Sequence, residues 1–108
     1  MHEEHYQLTR LKVADFEKEL DAAWSELQNP TSKLSEEARA QGIDISGLRK
    51  LKREDAIRVE TRESGFDITA IAMAFVAHGI VEVTKVAWVR LIWPRVKHNL
   101  GDDAIKPE

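Results

Sequence analysis

A mainly α-helical fold is what the sequence predicts: a small helical domain built around a long apolar C-terminal helix. An α+β variant with a minor two-stranded ribbon is the other form open to it. Three observations lead there. The stretch Ile68–Trp93 is dominated by apolar residues, and its first part, Ile68 to Val81, holds no charge beyond that of His78, in a chain that is 32% charged. Phe16, Leu20, Ala23, Trp24 and Leu27 repeat at helical spacing, with Glu17, Lys18, Asp21 and Glu26 between them. With 43% apolar but only 6% aromatic residues, the core must come chiefly from Ala, Val, Ile and Leu.

At 108 residues the chain fits one domain. Residues 1–5, with the polar sequence Met-His-Glu-Glu-His, read as a mobile N-terminus. They lack the basic and apolar regions of a secretory signal. Residues 6–13 suit either a helix or a short strand, and helix is favoured. An amphipathic helix covers 14–28, with Asp15 in its first turn, where a carboxylate complements the helix dipole. Asn29-Pro30 stops it, because proline disfavours helical geometry in the residue before it. A short helix follows at 35–41, capped by Ser32 or Ser35 and closed by Gly42.

Ile57, Val59 and Thr61 alternate with Arg58, Glu60 and Arg62, so 56–62 is the clearest strand pattern. A lone strand leaves its backbone groups without partners. Its partner is expected to be the 6–13 segment or the same strand of another subunit. Glu63-Ser64-Gly65 reads as a turn. The central helix is placed at 67–93, its alanine-rich first half favouring helix and its β-branched second half favouring strand. Pro94 implies a stop or kink. A short helix at 95–100 and a tail at 102–108 complete the reading.

Charge is uneven. Residues 1–48 carry five Lys/Arg and ten Asp/Glu, and residues 49–108 carry eleven and nine. Neither half has the basic excess of a nucleic-acid binder. There is no cysteine, which excludes disulfides and thiolate chemistry and suits a cytoplasmic setting.

On a helical wheel His78, Glu82 and Lys85 form one narrow polar stripe on an otherwise apolar cylinder. His78 and Glu82 have the i, i+4 spacing of a metal or acid–base pair, but no third ligand lies near them in sequence. A half-buried ion network closed by Lys85 is the simpler reading. His2-Glu3-Glu4-His5 lacks the histidine spacing of a zinc-protease helix. Ser25, Ser46 and Ser64 have no nucleophile-elbow context, and no glycine-rich phosphate loop exists. No catalytic residue, metal or cofactor is therefore expected. Arg49, Lys50, Lys52 and Arg53 make the densest basic patch.

The function expected is a non-enzymatic protein–protein interaction or assembly module, a homo-oligomer or an accessory subunit joined through the 68–93 helix. Its interface would centre on Phe75, Trp88 and Trp93, because large aromatics dominate binding energies. One alternative is a membrane-active effector that inserts residues 68–93. Its uncharged part falls short of the roughly 20 residues a span needs. A second is a small nucleic-acid-binding regulator using the 49–53 patch.

Overall fold

Elements follow one another as β1 (His2–Thr9), α1 (Val13–Gln28), α2 (Lys33–Ala40), a 3₁₀ turn (Ser46–Lys50), α3 (Arg53–Ala56), β2 (Ile57–Ser64) and β3 (Ile68–Phe75). A helical run of α4 (Val81–Ala87), a π segment (Trp88–Ile92) and α5 (Trp93–Leu100) comes next, and then β4 (Ile105–Pro107). This is a computed structural model that describes residues 2–108. The strands form one sheet in the order β2-β3-β1-β4, with every neighbouring pair antiparallel.

The mainly α expectation is overturned: about half of the chain is helical and a quarter is strand, in a four-stranded antiparallel sheet. The error lies in Ile68–Trp93, which is two elements. Ile71, Met73 and Phe75 point into the core, while Ala70, Ala72 and Ala74 line the opposite face of β3. A strand apolar on both faces looks like a helix apolar all round, so pattern alone does not separate them. Pairing decides it. β3 has β1 on one side and β2 on the other, and both ladders satisfy its backbone. The intrinsic helix preference of its alanines is worth less than these two ladders.

Residues Val76–Ile80 turn the chain from strand to helix. Gly79 takes φ +85°, a left-handed conformation that carries a steric penalty for any residue with a Cβ. The helix is then secured by Thr84, whose buried hydroxyl donates to the Ile80 carbonyl at 2.7 Å.

The ends also differ from expectation. Residues 2–5, expected to be mobile, belong to β1, and residues 6–9, for which helix was favoured, continue that strand. Met1 lies outside the described residues. The expected tail contains β4, whose Ile105 is fully buried beside Leu8. Elsewhere α1 and α2 lie within two residues of the expected limits, and Ser32 caps α2 by accepting the Ser35 N–H at 3.1 Å.

Pro94 neither stops nor sharply separates the last helix, which runs for 20 residues. The π segment just before it absorbs the misfit. The Trp93 N–H reaches back five residues to the Trp88 carbonyl. In an α-helix residues five apart diverge by about 140°, and the wider turn brings Trp88 and Trp93 round to one side. Their rings lie 5.6 Å apart and both meet Tyr6, at 5.8 and 5.1 Å. Phe16 of α1 adds an edge contact to Trp88. One face of the sheet, through Tyr6, Leu8, Ile57, Ile71, Met73 and Phe75, thus packs on α1 and the C-terminal helix.

Among the described residues no helix is long and apolar enough to cross a membrane. Residues 68–93, the segment of the insertion reading, form β3, a link and the start of the C-terminal helical run here and not one helix. Gly79→Ala is expected to destabilise the fold by about 1–2 kcal/mol, measured by urea unfolding. A Cβ there meets no atom within 4 Å, so the loss is conformational and not a clash.

Candidate interaction surface

The β2–β3 hairpin extends past the helical layer. Thr61 points to the same side as the core residues Ile57 and Val59, yet it is exposed, and Val59 is only half-buried. At the hairpin tip Phe66 is fully exposed and Ile68 is 48% exposed. Gly65 closes the turn by donating to the Ile68 carbonyl at 2.7 Å. The Asp67 carbonyl accepts the Arg10 N–H at 2.8 Å, which ties the base of the tip to the end of β1. Together the Phe66 and Ile68 side chains gather exposed apolar area, which is favourable to bury, at one end of the sheet.

The outer face of the sheet has a floor of methyl groups with polar walls. Ala72 lies between His5 and Glu60, and Ala74 between Glu3 and Arg58. Both alanines are only 7% exposed, yet they stand outside the cluster of core residues, so their neighbours' longer side chains provide the cover. Arg62 of β2 pairs with Glu108, which follows β4, at 3.0 Å. Strands β3 and β1 lie between those two edges. A β-bulge falls at the same place, between Thr61 and Glu63.

The residues expected to form an interface fall elsewhere. Phe75 and Trp88 are buried in this chain's own core, and Trp93 is half-buried beside them. Their rings help hold the layers together, and of the three only Trp93 keeps part of its surface exposed. The polar stripe also dissolves. His78 is exposed in the link before Gly79, while Glu82 and Lys85 lie in α4, so the three share no helix face.

Half of the basic patch is structural. Arg53 is largely buried and donates to Asp21 at 2.7 Å, to Glu17 at 3.4 Å and to the Ile57 carbonyl at 3.0 Å. Arg49 donates to the Leu27 carbonyl at 3.4 Å. Lys50 and Lys52 remain exposed. In the His2–His5 tract, His5 lies 3.3 Å from Glu3 on the outer sheet face. No group of three potential metal ligands occurs among the described residues.

Phe66 and Ile68 were the residues missed. The signal was present: Phe66 follows Gly65 in the three-residue connection 65–67, outside the alternating positions of either strand. It was obscured because Ile68 was counted with the apolar run.

The buried joint between layers is also the main titratable feature. Trp88 donates its indole N–H to Tyr6 Oη at 2.8 Å, and Tyr6 donates to Glu4 at 2.6 Å. Burial, followed by the bond to Glu4, raises the Tyr6 phenol well above its ordinary range. No family model, curated protein or solved structure matches the chain.

Tyr6 is the sole tyrosine, which makes its ionisation directly readable. The folded state holds the phenol neutral, whereas an unfolded chain releases that proton above about pH 10. The contribution of Tyr6 is therefore intact below that pH and declines above it, by about 1.4 kcal/mol per pH unit. Phenolate absorbance is expected to rise only together with unfolding. Tyr6→Phe is expected to remove this slope. By leaving the Trp88 N–H without its acceptor, the same substitution should cost about 1–3 kcal/mol at neutral pH in urea titrations.

Proposed function

We propose that the chain is a non-enzymatic, cytoplasmic protein–protein interaction or assembly module that docks through its projecting β2–β3 hairpin. The observation that carries this reading is Phe66, fully exposed at the tip of a hairpin whose β2 strand loses its cover beyond Val59. Half-exposed Ile68 follows two residues later, and exposed Arg10 and Asp67 lie beside it. That is the composition of a small binding patch: an aromatic anchor, an aliphatic neighbour and a polar rim. The expected interface thereby moves from Phe75, Trp88 and Trp93 to the hairpin.

A photocrosslinking amino acid placed at position 66 in cells tests the proposal. Discrete protein adducts are expected there and not from the same probe at exposed Glu36 of α2. Indistinguishable adducts at the two positions would count decisively against it. Phe66→Ser is expected to abolish the adducts formed from a neighbouring probe at Ser64. Folding stability should shift by no more than about 0.5 kcal/mol, since the side chain contacts solvent and not the core.

A further inference from the structure

The outer edge of β2 has a phase, a length and a charge pattern that together specify a partner. No described strand pairs with that edge. The Val76 N–H donates to the Ala56 carbonyl at 3.0 Å, which sets the phase of the β2–β3 ladder. Hydrogen-bonded and non-hydrogen-bonded pairs alternate in an antiparallel ladder. Ala56, Arg58 and Glu60 therefore turn their backbone groups toward β3, and Ile57, Val59 and Thr61 turn theirs outward. Ile57 shows this directly: its N–H goes to the Arg53 carbonyl and its own carbonyl accepts from the Arg53 guanidinium. On the other side the bulge beyond Thr61 disrupts the ladder. The open edge is thus centred on Val59 and Thr61.

Open strand edges attract strands, and this one is self-complementary. Arg58 and Glu60 are both exposed and flank Val59 on the outer face of the sheet. We propose that β2 pairs antiparallel with β2 of a second copy of this chain, with the two-fold axis at Val59. In that register Val59 exchanges two backbone hydrogen bonds with its counterpart, and Thr61 lies opposite Ile57, whose outward groups Arg53 already holds. Arg58 of each copy lies directly opposite Glu60 of the other, in the closer, non-hydrogen-bonded kind of pair. The half-buried Val59 side chains meet on the core side and cover one another. A register shifted to an axis at Glu60 sets Glu60 against Glu60 and Arg58 against Arg62, and like charges directly opposite are destabilising. Arg62 is in any case held by Glu108. The two sheets join into one of eight strands. This deepens the assembly reading, on which it rests, by naming a second copy as one partner and an edge distinct from the Phe66 tip.

Charge reversal tests the register with the full chain. Arg58→Glu alone and Glu60→Arg alone each place like charges opposite one another twice and are expected to weaken the dimer by about tenfold or more. Mixed in equal amounts, the two variants are expected to form a heterodimer, since every opposed pair is then of opposite sign. The double variant is expected to regain the homodimer. Sedimentation velocity and native mass spectrometry give the species, and circular dichroism confirms that these exposed substitutions leave the fold intact.

A wild-type chain that stays monomeric at millimolar concentration overturns the proposal. A dimer indifferent to both reversals, or one strengthened by Arg58→Glu, also overturns the edge and its register. In either case the hairpin reading is left to the crosslinking result at position 66.

Discussion

The Trp88 indole bonded to the Tyr6 hydroxyl is the joint on which this two-layer structure depends. Tyr6 belongs to β1, an inner strand of the sheet, and Trp88 to the helix that closes the core. Both are almost completely buried. A buried indole N–H without an acceptor is costly, so the helix has one rotational setting about its axis that satisfies it. The π turn follows from the same demand. It places Trp93 on the side that Trp88 occupies, and it lets the helix continue through a proline that removes one of its backbone bonds.

With the layers fixed in this way, the sheet divides into two territories. Near the joint, β1 and β3 are covered by Phe16, Leu91, Ile92 and Val96, and the strands are rigid parts of a core. Beyond it, the core side of β2 meets water at Thr61, opposite the fully buried Ile71 of β3. Arg53 marks the border on β2. Its guanidinium is tied to two carboxylates of α1 and to the strand's first carbonyl, which anchors the root of the hairpin, while the Arg10–Asp67 backbone bond and the Arg62–Glu108 pair hold its far end.

What the sequence conveyed depended on whether local pattern and tertiary pairing agreed. In α1 they agreed: Phe16, Leu20, Ala23, Trp24 and Leu27 form a single stripe, and all five are buried. In β2 the alternation was legible for the same reason. In β3 they conflicted. Ala70, Ala72 and Ala74 serve the outer face of a central strand, where small side chains let longer neighbours fold over them, yet alanine is also the best helix former. Residues 2–9 were misread because Glu3, His5 and Gln7 on the outer face look like a solvated terminus when their partners are unknown. The aromatic pair was legible as important but not as inward-facing, because a spacing of five points to one side only when the helix is locally widened. The alternation of β2 was legible as a strand, whereas Phe66 was overlooked because the apolar run that begins at Ile68 drew attention past it.

The exposed tip of the hairpin has a kinetic meaning. Local opening of a structure costs least where little apolar surface is buried. Along β3 burial rises from half-exposed Ile68 to fully buried Met73 within a single strand. Amide protons should therefore exchange rapidly at the tip and progressively more slowly toward Phe75. Opening of the tip, residues 64–68, exposes little new apolar surface, whereas opening past Ile71 uncovers the core. Substitutions at the tip therefore bear little on the stability of the domain, whereas those at the aromatic joint bear on all of it.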